Sequence, residues 1–76
     1  MITVKLYGLL RIESGIRERQ LEAVTVKQAL DELGELGVSR NALKGCVILV
    51  NGKNASKRSR LADGDTVVLM SPVAGG

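Results

Sequence analysis

One amphipathic helix near the middle of the chain decides which folds are open to it. Thr25 is a good N-cap, and Gln28 stands three residues later, the spacing of a capping box. Apolar residues then recur at helical spacing and give the helix one apolar face: Val26, Ala29, Leu30 and Leu33. Gly37 is a natural C-cap, so we predict that the helix ends there. A helix with one apolar face has to bury it against another layer, and the flanking sequence predicts a sheet.

Strand patterns flank this helix on both sides. Residues 2–7 alternate between apolar and polar side chains, and Gly8 closes this first strand. Residues 16–24 alternate as well but are strongly polar, which favours an edge strand. After the helix, residues 46–50 are apolar at every position, and residues 66–70 form a final apolar strand.

The remaining segments are predicted as connections. Residues 9–14 are ambiguous between a loop and a short helical turn, and residues 38–45 leave room for one turn capped by Ser39. Asn51-Gly52 is the strongest hairpin signal in the chain, because both residues accept a positive φ. Residues 53–60 then read as a polar loop that could include a short edge strand.

The predicted fold class is α+β, with a mixed sheet and one main helix packed on one face, formed by residues 1–71. The first and last strands should lie parallel at the centre of the sheet, because crossovers through a helix are right-handed. Alternation then points six apolar side chains toward the helix: Ile2, Val4, Leu6, Ile48, Val67 and Leu69. It sends Leu49, Val68 and Met70 to the opposite face, where they form either a docking surface for a partner or a patch that a loop covers.

Composition limits the chain to one small domain with an aliphatic core. Its 76 residues are 45% hydrophobic and include one aromatic residue, Tyr7. The first residues alternate like a strand and lack the apolar stretch of a signal peptide, and the longest apolar run, residues 46–50, is too short to span a membrane. A single cysteine excludes an internal disulfide and fits a reducing cytosol. We therefore expect a soluble, cytoplasmic protein with no membrane partner.

The side chains lack the groups that self-contained catalysis needs. There is no histidine, which removes the usual general base and the commonest metal ligand. Cys46 has no partner thiol for a zinc or redox site, and its predicted role is that of a small buried hydrophobe at the start of a strand. We therefore expect no metal site and no catalysis by the chain alone.

The net charge of +3 is concentrated in the second half of the chain. Residues 1–37 carry five basic and six acidic side chains, whereas residues 38–76 carry six basic and two acidic ones. Much of the excess is one run: Lys53, Lys57, Arg58 and Arg60. Such a run can attract nucleic acid or an acidic partner protein, and it is most often a solvated loop. Since no aromatic residues are interleaved with it for base stacking, we expect no nucleic-acid partner.

The last five residues are predicted as a tail that leaves the sheet. Pro72 has no N–H to donate to a sheet ladder, so it should stop the last strand. Gly75 and Gly76 have no side chains and would present a terminal carboxylate on a narrow stalk. Such a carboxylate suits chemistry that another enzyme performs in a slot that admits only backbone. A frayed terminus is the alternative interpretation.

Together these features resemble the ubiquitin-like β-grasp sulfur carriers of the MoaD/ThiS type, and most of all the small subunit of molybdopterin synthase. The resemblance covers essentially the whole chain. Its specific part is the second half: Val50-Asn51-Gly52, then Leu61-Ala62-Asp63-Gly64-Asp65, then Pro72-Val73-Ala74-Gly75-Gly76. Members often carry phenylalanines in the first and last strands, whereas this chain has Tyr7, Leu69 and Met70 at comparable places.

The resemblance implies that the chain is a consumable co-substrate and binds no cofactor itself. An activating enzyme would use ATP and magnesium to adenylate the carboxylate of Gly76, and a persulfide sulfur donor would convert the adenylate to a thiocarboxylate. The tail would then thread into the large subunit of molybdopterin synthase through Pro72, Val73, Ala74 and Gly75. There its sulfur would be delivered to a cyclic pyranopterin phosphate precursor, as a step of molybdenum cofactor biosynthesis.

The sequence leaves the acceptor of the sulfur open. A carrier for thiazole synthesis or tRNA thiolation would share the activation chemistry and differ only in its client. A ubiquitin-like modifier would instead join Gly76 to lysines of other proteins. The apolar residues 72–74 favour the carrier of molybdopterin synthase over the modifier, because ubiquitin's own stalk is arginine-rich.

Overall fold

The computed structural model describes residues 1–71, which form five strands and three helices. In chain order these elements are β1 (Ile2–Tyr7), α1 (Leu9–Ser14), β2 (Glu18–Leu21), α2 (Val26–Glu35), α3 (Arg40–Lys44), β3 (Val47–Val50), β4 (Lys53–Asn54) and β5 (Thr66–Met70). Every predicted strand is present, and the ambiguous residues 9–14 form the short helix α1. None of the helices within residues 1–71 is long and apolar enough to cross a membrane.

The strands form one mixed sheet in the order β2-β1-β5-β3-β4. β1 runs parallel to β5, with Val4 opposite Val67 and Leu6 opposite Leu69. The other neighbouring strands are antiparallel. The predicted parallel pairing of the first and last strands is therefore confirmed, and it places α2 in the crossover between the two halves of the sheet.

The hydrophobic core lies between one face of the sheet and the three helices. Five inward side chains of β1 and β5 are at most 2% exposed: Ile2, Val4, Leu6, Val67 and Leu69. The helices contribute Leu10 from α1, Leu43 from α3, and Val26, Ala29, Leu30 and Leu33 from α2. The predicted inward direction is thus confirmed for β1 and β5, whereas Ile48 of β3 packs against the core while remaining half-buried.

Local hydrogen bonds close both ends of α2. The hydroxyl of Thr25 accepts a hydrogen bond from the N–H of Gln28 at 3.2 Å, as the N-cap prediction requires. The side chain of Gln28 reaches one residue further back than a capping box does, and its oxygen accepts from the N–H of Val24 at 2.9 Å. The helix ends at Glu35, before Gly37, which has a φ of +102° and follows the C-cap in a Schellman turn.

Two other boundaries differ from the sequence prediction, and one is confirmed. β2 occupies only four of residues 16–24, because its pairing is limited to the first part of β1. The predicted turn capped by Ser39 is present as the short helix α3, and the hydroxyl of Ser39 accepts a hydrogen bond from the N–H of Ala42. Cys46 lies before β3 and is half-buried, and its thiol donates a hydrogen bond to the carbonyl oxygen of Leu43 at 3.0 Å. Burial raises the pKa of this thiol, which keeps it protonated and poorly nucleophilic.

Candidate functional site

The end of β5 is fastened to the start of α1 at a point that we call the tail root, formed by Gly8, Leu9 and Ser71. The N–H of Leu9 donates a hydrogen bond to Oγ of Ser71 at 2.6 Å. Gly8 has a φ of +68° and a ψ of −142°, a backbone conformation that is essentially restricted to glycine. A Cβ at position 8 would lie 2.5 Å from Oγ of Ser71, so this approach also requires glycine. The tail root therefore fixes where the chain leaves the sheet.

The predicted tail itself, Pro72 to Gly76, lies outside the described residues. β5 ends at Met70, two positions before Pro72. The roles assigned to Pro72, Val73, Ala74, Gly75 and Gly76 therefore remain predictions from the sequence.

The sheet face that points away from the helices adjoins the tail root, and we call it the open face. All the inward-facing residues of β1 and β5 belong to the core, so the alternate positions form this second surface. Its central strands contribute Thr3, Lys5, Tyr7, Val47, Leu49, Thr66, Val68 and Met70.

Cross-strand register arranges the open face in rows. Tyr7, Met70 and Val47 share the row that is nearest to Ser71. Val68 lies between Lys5 and Leu49 in the next row. The predicted docking residues Leu49, Val68 and Met70 therefore share one face, although each is half-buried by its neighbours instead of fully exposed. The row with Tyr7, Met70 and Val47 is therefore the part of the open face that adjoins the tail root.

Two more exposed members of the open face were missed by the sequence prediction. Tyr7 is 42% exposed and Val47 is 43% exposed, and they flank Met70 on its two neighbouring strands. Tyr7 was noted as the single aromatic residue and as standing where family members often carry a phenylalanine, and Val47 only as part of an apolar run. The signal that could have found both is the alternation itself, once β1 and β3 are placed on either side of β5.

The sequence motifs around Asn51 and Asp65 lie at the opposite end of β5 from the tail root. The side chain of Asn51 donates to Oδ1 of Asp65 at 2.9 Å, and its oxygen accepts from the N–H of Thr66 at 3.0 Å. The other carboxylate oxygen of Asp65 accepts from the N–H of Ala62 at 2.8 Å. These bonds tie the turn after β3 to the start of β5. These motifs, on which the resemblance within residues 1–71 rests, therefore have a structural role, because they position the strand β5 that ends at the tail root.

A metal-binding role has no support in the described part of the chain. Within residues 1–71, no three acidic or cysteine side chains are close enough to share an ion. The arrangement around the tail root contains hydrogen-bonding and apolar groups that can hold a segment and receive a protein.

A mixed five-stranded sheet with this strand order and one main helix across one face is a ubiquitin-like β-grasp fold of the α+β class. The sequence model of the ThiS family matches residues 4–76. The chain belongs to the ThiS family, whose ubiquitin-like members carry sulfur. The predicted resemblance is thus confirmed at the level of fold and family.

Solved structures of this type resemble the chain over nearly its whole length. SAMP1 of Haloferax volcanii is 26% identical, with a TM-score of 0.86, over 99% of this chain and 98% of that one. A chain from the complex of subunits 1 and 2 of the molybdopterin-converting factor of Helicobacter pylori is 25% identical, with a TM-score of 0.75, over 99% and 97%. Urm1 of Trypanosoma brucei is 25% identical, with a TM-score of 0.73, over 99% and 94%. A search of curated proteins finds no match to the chain.

Proposed function

We propose that the chain is the sulfur-carrying small subunit of a molybdopterin synthase, with the thiocarboxylate formed on Gly76. The observation that carries this proposal is the reach of the family match, which continues through the predicted tail to residue 76. The tail is therefore part of what defines the family resemblance, and not an appendage to it. The absence of histidine from the whole chain fits a carrier whose partners supply acid–base groups.

The proposed chemistry has two stages. An activating enzyme uses ATP and Mg²⁺ to join the carboxylate of Gly76 to AMP, with release of pyrophosphate. The terminal sulfur of a donor persulfide then attacks the acyl carbon, a C–S bond forms, and AMP leaves with the electron pair of the C–O bond. A thiol reduces the resulting acyl disulfide and frees the thiocarboxylate. The chain itself contributes only the carboxylate and the stalk, and it holds no cofactor.

The geometry next to the tail supports this division of labour. Ser71 is held by Leu9, so the segment that follows starts from a defined point. The exposed row with Tyr7 and Val47 lies at that same end of the sheet. We assign this surface to docking of the activating enzyme and then of the large subunit, each of which would take the tail into its own active site.

The choice of molybdopterin synthase rests on two observations. The Helicobacter pylori structure contains subunits 1 and 2 of a molybdopterin-converting factor, and the similar chain in it covers 99% of this one. The second observation is that residues 72–74, before the two glycines, are apolar in the sequence. In this assignment the large subunit accepts the tail, and the sulfur passes to the pyranopterin precursor.

Protein modification through Gly76 is the second candidate function. The observation that favours it is the similarity to Haloferax volcanii SAMP1, which is 26% identical over 99% of this chain. A second similar structure, with a TM-score of 0.76, is that of the Haloferax volcanii small archaeal modifier protein 1. A modifier would use the same adenylate but transfer the acyl group to a lysine amine instead of accepting sulfur. The chain is also similar to Urm1, so a sulfur carrier that serves a different acceptor through the same activation chemistry stays open.

The test is the intact mass of the protein after incubation with source-cell extract, ATP and a sulfur source. A gain equal to the exchange of one oxygen for sulfur, absent from a variant that lacks Gly76, supports the carrier. A ladder of covalent conjugates without that gain supports the modifier. If the extract activates other carriers but forms neither product from this protein, both proposed functions are contradicted. Addition of purified large subunit and the pyranopterin precursor then tests the client, because only the molybdopterin synthase assignment predicts consumption of the thiocarboxylate.

A further inference from the structure

A groove on the helix side of the sheet carries positive charge that the proposed sulfur chemistry does not use. It encloses about 130 Å³ between α2, α3 and the loop that follows β4. We call it the basic groove, and its lining consists of Lys27, Leu30, Asp31, Arg40, Leu43, Lys44 and Lys57. Leu30 and Leu43 also belong to the hydrophobic core, so the groove has an apolar floor and a charged rim.

The rim has four cationic side chains and one carboxylate. Asp31 pairs with Lys27 at 3.2 Å and lies 3.9 Å from the guanidinium of Arg40. Within residues 1–71, neither Lys44 nor Lys57 has a carboxylate at ion-pair distance. Since one carboxylate faces four cations, the groove keeps a surplus of three positive charges. It would attract an anionic partner.

Backbone hydrogen bonds fix the segments that carry these cations before any partner binds. The carbonyl oxygens of Lys57 and Ser59 accept hydrogen bonds from the N–H groups of Lys27 and Val26, both at 3.0 Å. The loop after β4 is therefore tied to the first turn of α2, which sets the separation of Lys57 and Lys27. On the other side, the Ser39 cap fixes the start of α3, the helix that carries the other two cations.

Gly34 of α2 lets the side chain of Arg40 lie close to the α2 backbone at the edge of the groove. A Cβ at position 34 would lie 3.0 Å from the central guanidinium carbon of Arg40, so this side chain rests directly on the helix backbone. The glycine that weakens α2 by about 1 kcal/mol relative to alanine thus leaves space for a cation of α3. Arg40 therefore lies against α2 at this side of the groove.

We propose that the basic groove binds an acidic segment of a partner protein, with one aliphatic side chain on the floor and carboxylates at Lys44 and Lys57. The volume suits this occupant, since an apolar cavity of about 150 Å³ accommodates a benzene molecule. A nucleic acid fits less well, because single-stranded binding depends on aromatic side chains that stack on bases. The chain's one aromatic residue, Tyr7, belongs to the open face and not to the groove.

The location gives this contact a role separate from sulfur transfer. The open face and the basic groove lie on opposite sides of the sheet, because Leu30 and Leu43 contact the core that the open face points away from. A partner in the groove would leave the tail root accessible. The chain can therefore be held by one protein while another enzyme works on its carboxyl end.

The test uses the full-length ¹⁵N-labelled protein and a synthetic peptide, acetyl-Glu-Glu-Leu-Glu-Glu amide, followed by amide chemical shifts during titration. We expect the shifted amides to cluster at Leu30, Leu43 and Lys57. The double variant Lys44→Glu with Lys57→Glu should weaken binding at least about tenfold, which corresponds to 1.4 kcal/mol. The matched control, Lys53→Glu with Arg58→Glu, makes the same change in net charge at exposed cations outside the groove and should leave the affinity within about threefold.

Three results would overturn the proposal. Equal weakening by the two double variants would mean that only overall charge matters. Unchanged affinity for a peptide with serine in place of leucine would mean that the apolar floor takes no part. Tighter binding of an oligothymidylate of equal charge, lost in the groove variant, would assign the groove to nucleic acid. None of these results depends on Gly76, so the carrier function stands or falls independently.

Discussion

Asn51 and Asp65 face each other across the start of β5, with the side-chain amide of Asn51 donating to Oδ1 of Asp65 at 2.9 Å. The pKa of Asp65 is lowered by the hydrogen bond from the N–H of Ala62 and then by that from Asn51. A carboxyl whose pKa is lower in the folded state binds its proton more readily in the unfolded state. Acidification below about pH 4 therefore lowers the free energy of unfolding. Asp65→Asn should flatten part of this acid dependence of the melting temperature. Glu35→Gln, at an exposed position at the end of α2, is the control for loss of one negative charge, and an equal change of slope in both variants would argue against a role for Asp65.

Gly8 and Ser71 should behave as a coupled pair. Gly8→Ala should destabilise the protein by about 1–3 kcal/mol because its backbone conformation excludes other residues, and the new Cβ would also meet Oγ of Ser71. Ser71→Ala should cost about 1 kcal/mol through loss of the hydrogen bond from Leu9. In the double variant the contact with Oγ is absent, so Gly8→Ala should cost less than in the wild type. Chemical denaturation of all four proteins measures this coupling, and strictly additive costs would contradict it.

Two glycines at the end of α2 should respond in opposite directions. Gly34→Ala should stabilise the protein by up to about 1 kcal/mol, which is about 4–8 °C in melting temperature for a domain of this size. The new Cβ meets only the flexible end of Arg40, which can move away. Gly37→Ala should destabilise by a similar amount because the φ of Gly37 is +102°. A loss of stability in Gly34→Ala would mean that Arg40 is held rigidly in its place.

Docking on the open face should be sensitive to charge at Val47. Val47→Glu places a carboxylate in the row beside Met70 without disturbing the core, since Val47 is 43% exposed. We expect the KM of the activating enzyme for the carrier to rise at least about tenfold, the ratio that 1.4 kcal/mol produces. Ile12→Glu is the matched control, because Ile12 is 76% exposed on α1 and belongs to neither the core nor the open face. Equal effects of the two variants would argue against a docking role for this surface.

Changes in the tail should impair activation of the carboxylate without changing the stability of the fold. Gly75→Val should leave the melting temperature unchanged, because position 75 follows the last strand of the sheet, and it should slow adenylation through obstruction of a narrow slot. One residue added after Gly76 should abolish thiocarboxylate formation, since the reacting carboxylate would be displaced. Thermal unfolding and adenylation rate, measured on the same samples, test both. An extended protein that still accepted sulfur would contradict the assignment of Gly76.

Local patterns were enough to predict the framework of the fold. Thr25 and Gln28 marked the start of α2, and Asn51-Gly52 marked the turn between β3 and β4, where Asn51 does adopt a positive φ of 51°. These signals work because each depends on residues close together in the chain. The ends of β2 were less predictable, since a polar edge strand is bounded by its neighbour β1 and not by its own sequence.

Contacts between distant residues explain what was missed at the candidate site. Nothing in the sequence near Ser71 indicates that its hydroxyl accepts from Leu9, 62 positions earlier. The basic run was noted as a loop, but its position against Lys27 depends on hydrogen bonds that form only when the loop returns to α2. Arg40 and Lys44 were not grouped with that run, because α3 joins them to it only in three dimensions.

The parallel pairing of β1 with β5 also bears on when the protein becomes recognisable to a partner. The row with Tyr7 and Met70 joins two strands that are far apart in the sequence, and closing so long a loop makes such pairing slow to form. A partly unfolded chain in which β1 and β5 are unpaired lacks this assembled row. A partner that docks on this row would therefore bind the folded chain in preference to one in which β1 and β5 have not yet paired.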